Sequence, residues 1–426
     1  MPQTAGETFV GFGFGPIQSA LFLFEAYLSG NFSRYVVAEI DAQLVGAIRG
    51  AGGTYTINVA RKDRIDQVSV HGVELYNPSD PSDRSAILEA ITEADELATA
   101  LPSVRFYDAG NETSVAAMLA RGLSRRRTDK PAVIYAAENH NHAAEILVET
   151  MGKYAPPRSM DRVQALNTVI GKMSGVISEG EVIRRIGLGT MTPATPGAVL
   201  VEEFNRILIS RITLPGFRRG IEVFVEKEDL LPFEEAKLYG HNAIHALIGY
   251  LADLRGLATI ADTAGHPDIM AIARRALIDE SGAALRIHHA SLHDELFTEA
   301  GFAAYADDLL DRMIRPNLND MVARVIRDPV RKLAYDDRLY GTMRLAMQYG
   351  IEPRNLAIGA AAAVLCLIRH RAGITTPIAR LPDAPGSLSL DRLGEILGSI
   401  WGDKVDQHAA AMTRMTWEAV AGLTAR

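Results

Sequence analysis

An amine, an amide and an imidazole fall close together in Lys237-Leu-Tyr-Gly-His-Asn242-Ala-Ile-His245. An amine whose pKa is lowered by burial or by a neighbouring cation can take a proton near neutral pH. An amide N–H can then hold the charge that develops on oxygen, and an imidazole can orient either partner. The set suits removing a proton from a hydroxyl, with Lys237 as base, and it requires no metal. The surrounding residues, Ala236, Leu238, Ala243, Ile244, Ala246, Leu247, Ile248 and Leu251, are apolar nearly all round, as in buried helices. At about 100° per residue of an α-helix, Asn242 falls about 140° and His245 about 80° round from Lys237. Taken alone, three polar groups on such a helix are more often bonded to nearby backbone or water.

The elements that must position them begin at the N-terminus. Phe9-Val-Gly-Phe12 reads as a buried strand, Gly13-Phe-Gly15-Pro16-Ile17-Gln18 as a turn, and Ala20, Leu21, Leu23, Phe24, Tyr27 and Leu28 as a helix. In a dinucleotide-binding turn the first glycine permits the tight bend and the second lets backbone approach a pyrophosphate, which rests on the helix N-terminus. Gln18 stands where a third glycine is usual, at the position governing close helix packing. Tyr35 to Ala38 reads as a second strand ending at Glu39-Ile-Asp41. A carboxylate there, Glu39 or alternatively Asp41, can accept from a ribose diol and repel a 2′-phosphate, so NAD is expected over NADP.

Asp95 to Val104 and Pro131 to Ala137 read as further strands, each after a helix (Arg84 to Ala94; Ser114 to Leu123), with Thr54 to Val59 and Val68 to Val73 as added strands. This alternation predicts an α/β Rossmann-like, doubly wound parallel sheet. Ligands gather beyond strand carboxyl ends in such sheets, so Glu138-Asn139 is expected beside a nicotinamide. His140 and His142 lack further ligands, and no metal is expected. The stretch Gly187 to Gly197 reads as interdomain, giving a dinucleotide-binding domain over 1–195 and a mostly helical domain over 196–426. Helical spacing recurs over Pro267 to Leu277, Glu295 to Ile314 and Ala334 to Tyr349. The basic run Ser124 to Lys130 reads as a solvated loop.

With 426 residues the chain exceeds a single core. Its 44 Lys and Arg against 52 Asp and Glu argue against nucleic acid as a partner. The single cysteine, Cys366, excludes an intrachain disulfide and reads as core filler. No run is apolar over the length of a membrane span, and no signal segment is seen at the start. A cytoplasmic monomer or small homo-oligomer is the expectation.

Together these features resemble the polyol-specific long-chain dehydrogenases. The family's K-x(4)-N-x(2)-H helix is matched by Lys237, Asn242 and His245, and its acidic-Asn turn by Glu138-Asn139. Its R-V-x-R-D-P-x-R-K-L segment is matched by Arg324-Val-Ile-Arg-Asp-Pro-Val-Arg-Lys-Leu333. The resemblance implies hydride transfer between a polyol, or polyol phosphate, and its ketose, with NAD as cofactor. It gives Lys237, Asn242, His245 and Asn139 catalytic roles, and Arg324 and Lys332 substrate contacts. Asp328 and Asp336 are alternative ion-pair partners for those two cations, and Asp328-Pro329 also reads as a helix N-cap with proline first. The family's V-D-R segment is here Ile170-Gly171-Lys172. The missing carboxylate and the added Lys172 favour an anionic substrate, foremost mannitol 1-phosphate with fructose 6-phosphate. An unphosphorylated polyol such as mannitol, a sugar acid (tagaturonate or fructuronate) and a non-catalytic NAD-binding redox sensor are the alternatives.

Overall fold

The computed structural model describes residues 6–126, 130–154, 161–204, 206–373, 378 and 381–424. Part of the basic run, residues 127–129, lies outside them. The chain divides into two compact units, Met1–Leu231 and Pro232–Arg426.

Among the described residues the first unit holds twelve strands: β1 (Glu7–Phe12), β2 (Phe32–Ala38), β3 (Tyr55–Ala60), β4 (Ile65–Val70), β5 (Val73–Tyr76), β6 (Glu96–Thr99), β7 (Ala132–Ala136), β8 (Val163–Val169), β9 (Ser174–Ile177), β10 (Ala198–Glu202), β11 (Ile207–Ser210) and β12 (Phe224–Lys227). Eight form one sheet in the order β12-β11-β8-β7-β6-β1-β2-β5. From β5 to β8 all pairs are parallel. Strand order reverses between β1 and β6, and such a switch point opens a crevice at the carboxyl ends. Phe9 and Val10 point to opposite faces of β1 and both are fully buried, each in a different apolar cluster. A strand covered on both faces reads as continuously apolar, as β1 does.

A smaller sheet, β4-β3-β10-β9, stands apart. The expected strand Val68 to Val73 is split between the two sheets: Gly72, at φ +74°, turns the chain so that β4 pairs with β3 while β5 joins the main sheet beside β2. The strand expected to run to Val104 ends at Thr99, and Val104–Tyr107 is a 3-10 turn after Pro102, which has no N–H to continue a ladder. Domain organisation differs from the expected division at 195/196. β10 pairs with β3, and β11 pairs with β8, so the Gly187 to Gly197 stretch is a loop within the first unit.

In the second unit the helix Arg354–Arg369 is the core, with Ala360 to Ile368 all buried, including Cys366. It packs on the helices Ala243–Leu254 and Ala409–Thr424. Close approach needs small residues at two points on Ala243–Leu254 and its partner. A Cβ on Gly359 would lie 2.8 Å from Leu247 Cγ, and one on Gly249 would lie 2.5 Å from Val325 Cγ1. Of the expected helix Ala334 to Tyr349, only Tyr340–Gln348 is regular.

The contact at Gly249 seats the short helix Val322–Val325 against the helix that carries His245. Gly249→Val should overpack it at a cost of about 1–3 kcal/mol, seen as a lowered transition of the second unit by calorimetry. An unchanged transition would show the interface to be slack.

Candidate active site

The turn after β1 is held at both ends. Gly13 has φ +81°, and a Cβ there would meet Ala100 O at 2.9 Å, so only glycine fits. Gly15 has nothing within 4 Å of its Cβ position, leaving space beside the backbone. Pro16 and Ile17 open the helix, with proline at a position where no N–H is needed. Gln18 is fully buried, in a π-helical turn over Gln18–Phe22, and its side chain lies where a Cβ on Gly11 would be, 2.2 Å from Nε2. The close packing that a third glycine would give is therefore supplied from the strand side, by Gly11.

Glu39 accepts from Phe14 N at 2.7 Å and Asp41 N at 2.9 Å. It ties the end of β2 to the glycine turn, and a carboxylate with two such bonds keeps further lone pairs for a ligand. Asp41 instead caps the helix Ala42–Gly50, accepting from Gln43 N and Leu44 N, which explains why it is the weaker ribose candidate. Glu138 is buried and accepts from Thr99 Oγ1, Leu101 N and Tyr107 Oη. Burial pushes its pKa up, against those hydrogen bonds. Its role is to brace the loops beyond β6 and β7. Asn139 follows it, exposed. Lys172 is only 7 % exposed, and burial pushes its pKa down to about 8 although Glu25, Glu202 and Glu203 pull it up. It sits inside the first unit near these carboxylates.

In the second unit the helix Leu231–Glu235 runs through a π-helical segment, Ala236–Asn242, into Ala243–Leu254. Here the structure corrects the α-helical arithmetic. A π turn closes from residue i to i+5, as Ala243 N does on Leu238 O, so Lys237 and Asn242 are brought toward the same face. The carbonyl of Tyr239, within this turn, accepts from Ser281 Oγ at 2.8 Å and Thr342 Oγ1 at 3.4 Å. π turns are uncommon and often mark functional positions.

Burial pushes the Lys237 amine down to about 8, helped by Arg338 and opposed by Glu234. His241, between Lys237 and His245 in sequence, is buried and held well below the usual imidazole range by burial and then by His245, Arg312, Lys237 and Arg338. The half-buried Asn242 side chain has no partner among the described residues. His245 Nε2 lies 2.7 Å from Asp320 Oδ2. An ionised carboxylate only accepts, so Nε2–H donates and Nδ1 is the ring nitrogen left for another partner. Burial would raise the Asp320 pKa, yet the bond from His245 and the charge of Arg324 bring it below the ordinary value.

Arg324 is paired with Asp320, at 3.0 Å through Nε and 2.6 Å through Nη2, not with Asp328 or Asp336. Lys332 is 6 % exposed; it donates to Val325 O and lies 5.8 Å from the Tyr250 ring centre. Its pKa is pushed down to about 8 by burial, with Arg338 and Arg331 adding to the effect. Asp328 does not cap: it takes φ +63°, and its side chain pairs with Arg331. Sequence reasoning missed Asp320 and Arg338. The spacing Asp320 to Arg324, an i,i+4 pair, was the visible signal for the first; nothing local marked the second. His140 and His142 stand outside the groups of three potential metal ligands among the described residues, which are Glu235, His288 and His289, and Asp253, Cys366 and His370.

A parallel sheet with a glycine turn after its first strand, followed by a mostly helical unit, fits an NAD-dependent dehydrogenase. Residues 229–373 match the family described as the mannitol dehydrogenase C-terminal domain. Curated relatives include the mannitol-1-phosphate 5-dehydrogenase of Anoxybacillus flavithermus, 29% identical over 344 residues, covering 78% of this chain and 82% of the relative. The protein of the same name from Halalkalibacterium halodurans is 28% identical over 339 residues, with 79% and 83% covered. In fold the chain is similar to Pseudomonas fluorescens mannitol 2-dehydrogenase, solved as a ternary complex with NAD and D-mannitol (TM-score 0.70, 14% identity, 99% and 92% covered). It is also similar to a substrate-free D-sorbitol dehydrogenase (TM-score 0.74, 14% identity, 98% and 95% covered). Among the described residues no helix is long and apolar enough to cross a membrane.

If Asp320 fixes the tautomer of His245, Asp320→Asn should lower kcat/KM at least ~10-fold, the low end for removing a partner that orients a functional imidazole. Nucleotide binding should be unchanged, and Asp320→Glu should recover part of the loss. Equal activity of the Asn variant and the parent would remove Asp320 from the site.

Proposed function

We propose that this chain is an NAD-dependent oxidoreductase that transfers a hydride between the secondary CH–OH of a polyol or polyol phosphate and its ketose, foremost mannitol 1-phosphate and fructose 6-phosphate. The observation that carries the reading is Lys237, an amine lowered to about 8 on a π turn that also presents Asn242.

The residues after β1 suit a dinucleotide: a glycine forced to positive φ, an open face at Gly15, and a helix N-terminus beyond. Gly13, Gly15, Pro16, Ile17 and Gln18 would form the pyrophosphate turn, and Glu39 would accept from the adenosine ribose. Glu138 would brace the loop on which Asn139 meets the nicotinamide. NAD, when bound, supplies the hydride acceptor. Neutral Lys237 takes the hydroxyl proton, Asn242 donates to the oxygen as charge develops, and His245, held through Nε2 by Asp320, orients the hydroxyl through Nδ1. In the reverse direction protonated Lys237 returns the proton to the carbonyl oxygen.

Arg324 keeps the family's substrate-contact position through its exposed face, while Lys332 supports the site from beneath, against Val325 and Tyr250. Lys172 is retained only as an interior charge of the nucleotide-binding unit. We also infer a cytoplasmic monomer or small homo-oligomer with no nucleic-acid partner, in line with the net charge of -8.

Because the base must be unprotonated, polyol oxidation should rise with pH through about 8. Ketose reduction, which needs the ammonium, should fall over the same range. Lys237→Met should remove at least ~100-fold of turnover and leave nucleotide affinity intact, and a chelator should have no effect. Loss of activity on chelation, or survival of activity in the lysine variant, would overturn the mechanism.

Calorimetric titration should find NAD bound more tightly than NADP, with Glu39→Ala narrowing the gap. A preference for NADP in the unaltered protein would refute the role of Glu39.

A further inference from the structure

The basic residues that sequence reasoning gathers for an anionic substrate are largely committed elsewhere. Arg324 bonds Asp320 through two nitrogens, Arg331 bonds Asp328 and Asp337, and Lys332 is buried against a carbonyl. Arg338 differs. Its side chain is only 13% exposed, and its one ion pair is Nε to Asp337 Oδ1 at 2.7 Å. No bond is made by Nη1 or Nη2 among the described residues.

The segment holding Arg338 is tied to the π turn. Thr342 Oγ1 donates to Arg338 O and reaches Tyr239 O at 3.4 Å, and a Cβ on Gly341 would stand 2.9 Å from Tyr239 Cε1. The charge of Arg338 is felt at Lys237, His241 and Lys332. Asp337 is shared between Arg331 and Arg338. Among the described residues Arg331 and Arg338 form ion pairs only with Asp328 and Asp337, and Lys332 with neither, leaving a positive surplus.

A guanidinium withdrawn from water with donors unspent is costly unless something uses them. Its planar fork fits the paired oxygens of a phosphate or carboxylate.

We propose that Arg338 anchors an anionic end group of the substrate, a phosphate ester or a carboxylate, through its two terminal guanidinium nitrogens. The proposal rests on the polyol dehydrogenase reading and names the substrate class of that site. It explains how the second unit can select a charged ketose although Arg324 and Lys332 are already engaged. The same cation, fixed beside the base, favours the neutral amine that oxidation requires.

The test uses the full chain with NADH and compares fructose 6-phosphate, tagaturonate and fructose as substrates, with inorganic phosphate as inhibitor. For the anionic ketose that the parent reduces best, Arg338→Met should lower kcat/KM ~100-fold, as expected for two charge-assisted hydrogen bonds, mainly through KM. Reduction of fructose, which Arg338 reaches only through the Lys237 amine, should change at least ~10-fold less than that of the anionic ketose, and inhibition by phosphate should be lost. Arg338→Lys, which keeps the charge but not the fork, should fall between and guards against a variant that fails to fold. Phosphate preference and ketouronate preference in the parent distinguish the two anion sources.

Undiminished use of the anionic ketose by Arg338→Met would overturn the proposal. So would an equal loss on fructose, or a parent that prefers fructose. If the parent reduces none of the three, the oxidoreductase reading fails by itself, and calorimetric titration with inorganic phosphate decides the anchor. Binding that disappears in Arg338→Met supports it, and absence of binding to the parent overturns it.

Discussion

A lysine can act as a base near neutrality only if its proton is made expensive to keep, and the surroundings of Lys237, the base of the proposed mechanism, meet that requirement. Lys237 is half-buried on a helix whose neighbours are apolar; burial and the Arg338 guanidinium lower its amine against the charge of Glu234. The π turn adds what burial cannot: it turns Asn242 toward the same side as the amine. Within that turn the Tyr239 carbonyl accepts from hydroxyls of two other segments, Ser281 and Thr342. Lysine, amide and cation are thus linked through one π-helical piece of backbone.

The imidazole is governed by a different balance. Asp320 is nearly removed from solvent yet stays ionised, because His245 and Arg324 both bond its oxygens. Burial and pairing act in opposite directions on the same carboxylate, and pairing wins. The short helix after Asp320 can come close enough only because Gly249 offers no side chain to Val325. A packing constraint on an apolar face therefore determines the geometry of a polar one.

The chemistry-bearing helix, the glycine turn and the alternation of strands and helices were legible in the sequence because each depends on local pattern. Lys237, Asn242 and His245 could be named as a set from spacing, although α-helical angles misplace Asn242 relative to Lys237. What escaped depends on tertiary contact. Asp320 lies 75 residues from His245, and Arg338 is linked to the π turn through Thr342. The pairing of β10 with β3 and of β11 with β8, which carries the first unit past Gly197, is equally non-local. Lys172 and Lys332 show the reverse difficulty, since a cation in a motif looks the same in sequence whether its amine faces a ligand or the interior.

The relation between Gln18 and Gly11 reaches beyond this chain. A fingerprint written as three glycines in a row of fixed positions assigns the third one to the helix, but what the fold requires is a vacancy somewhere across a helix–strand contact. Here the vacancy has crossed to the opposite surface, and a full-sized amide fills it. The two positions form a coupled pair: a side chain on Gly11 would be tolerated only if Gln18 shrank in return. Nucleotide folds of this kind are then better recognised by the summed bulk of two facing residues than by the identity of either.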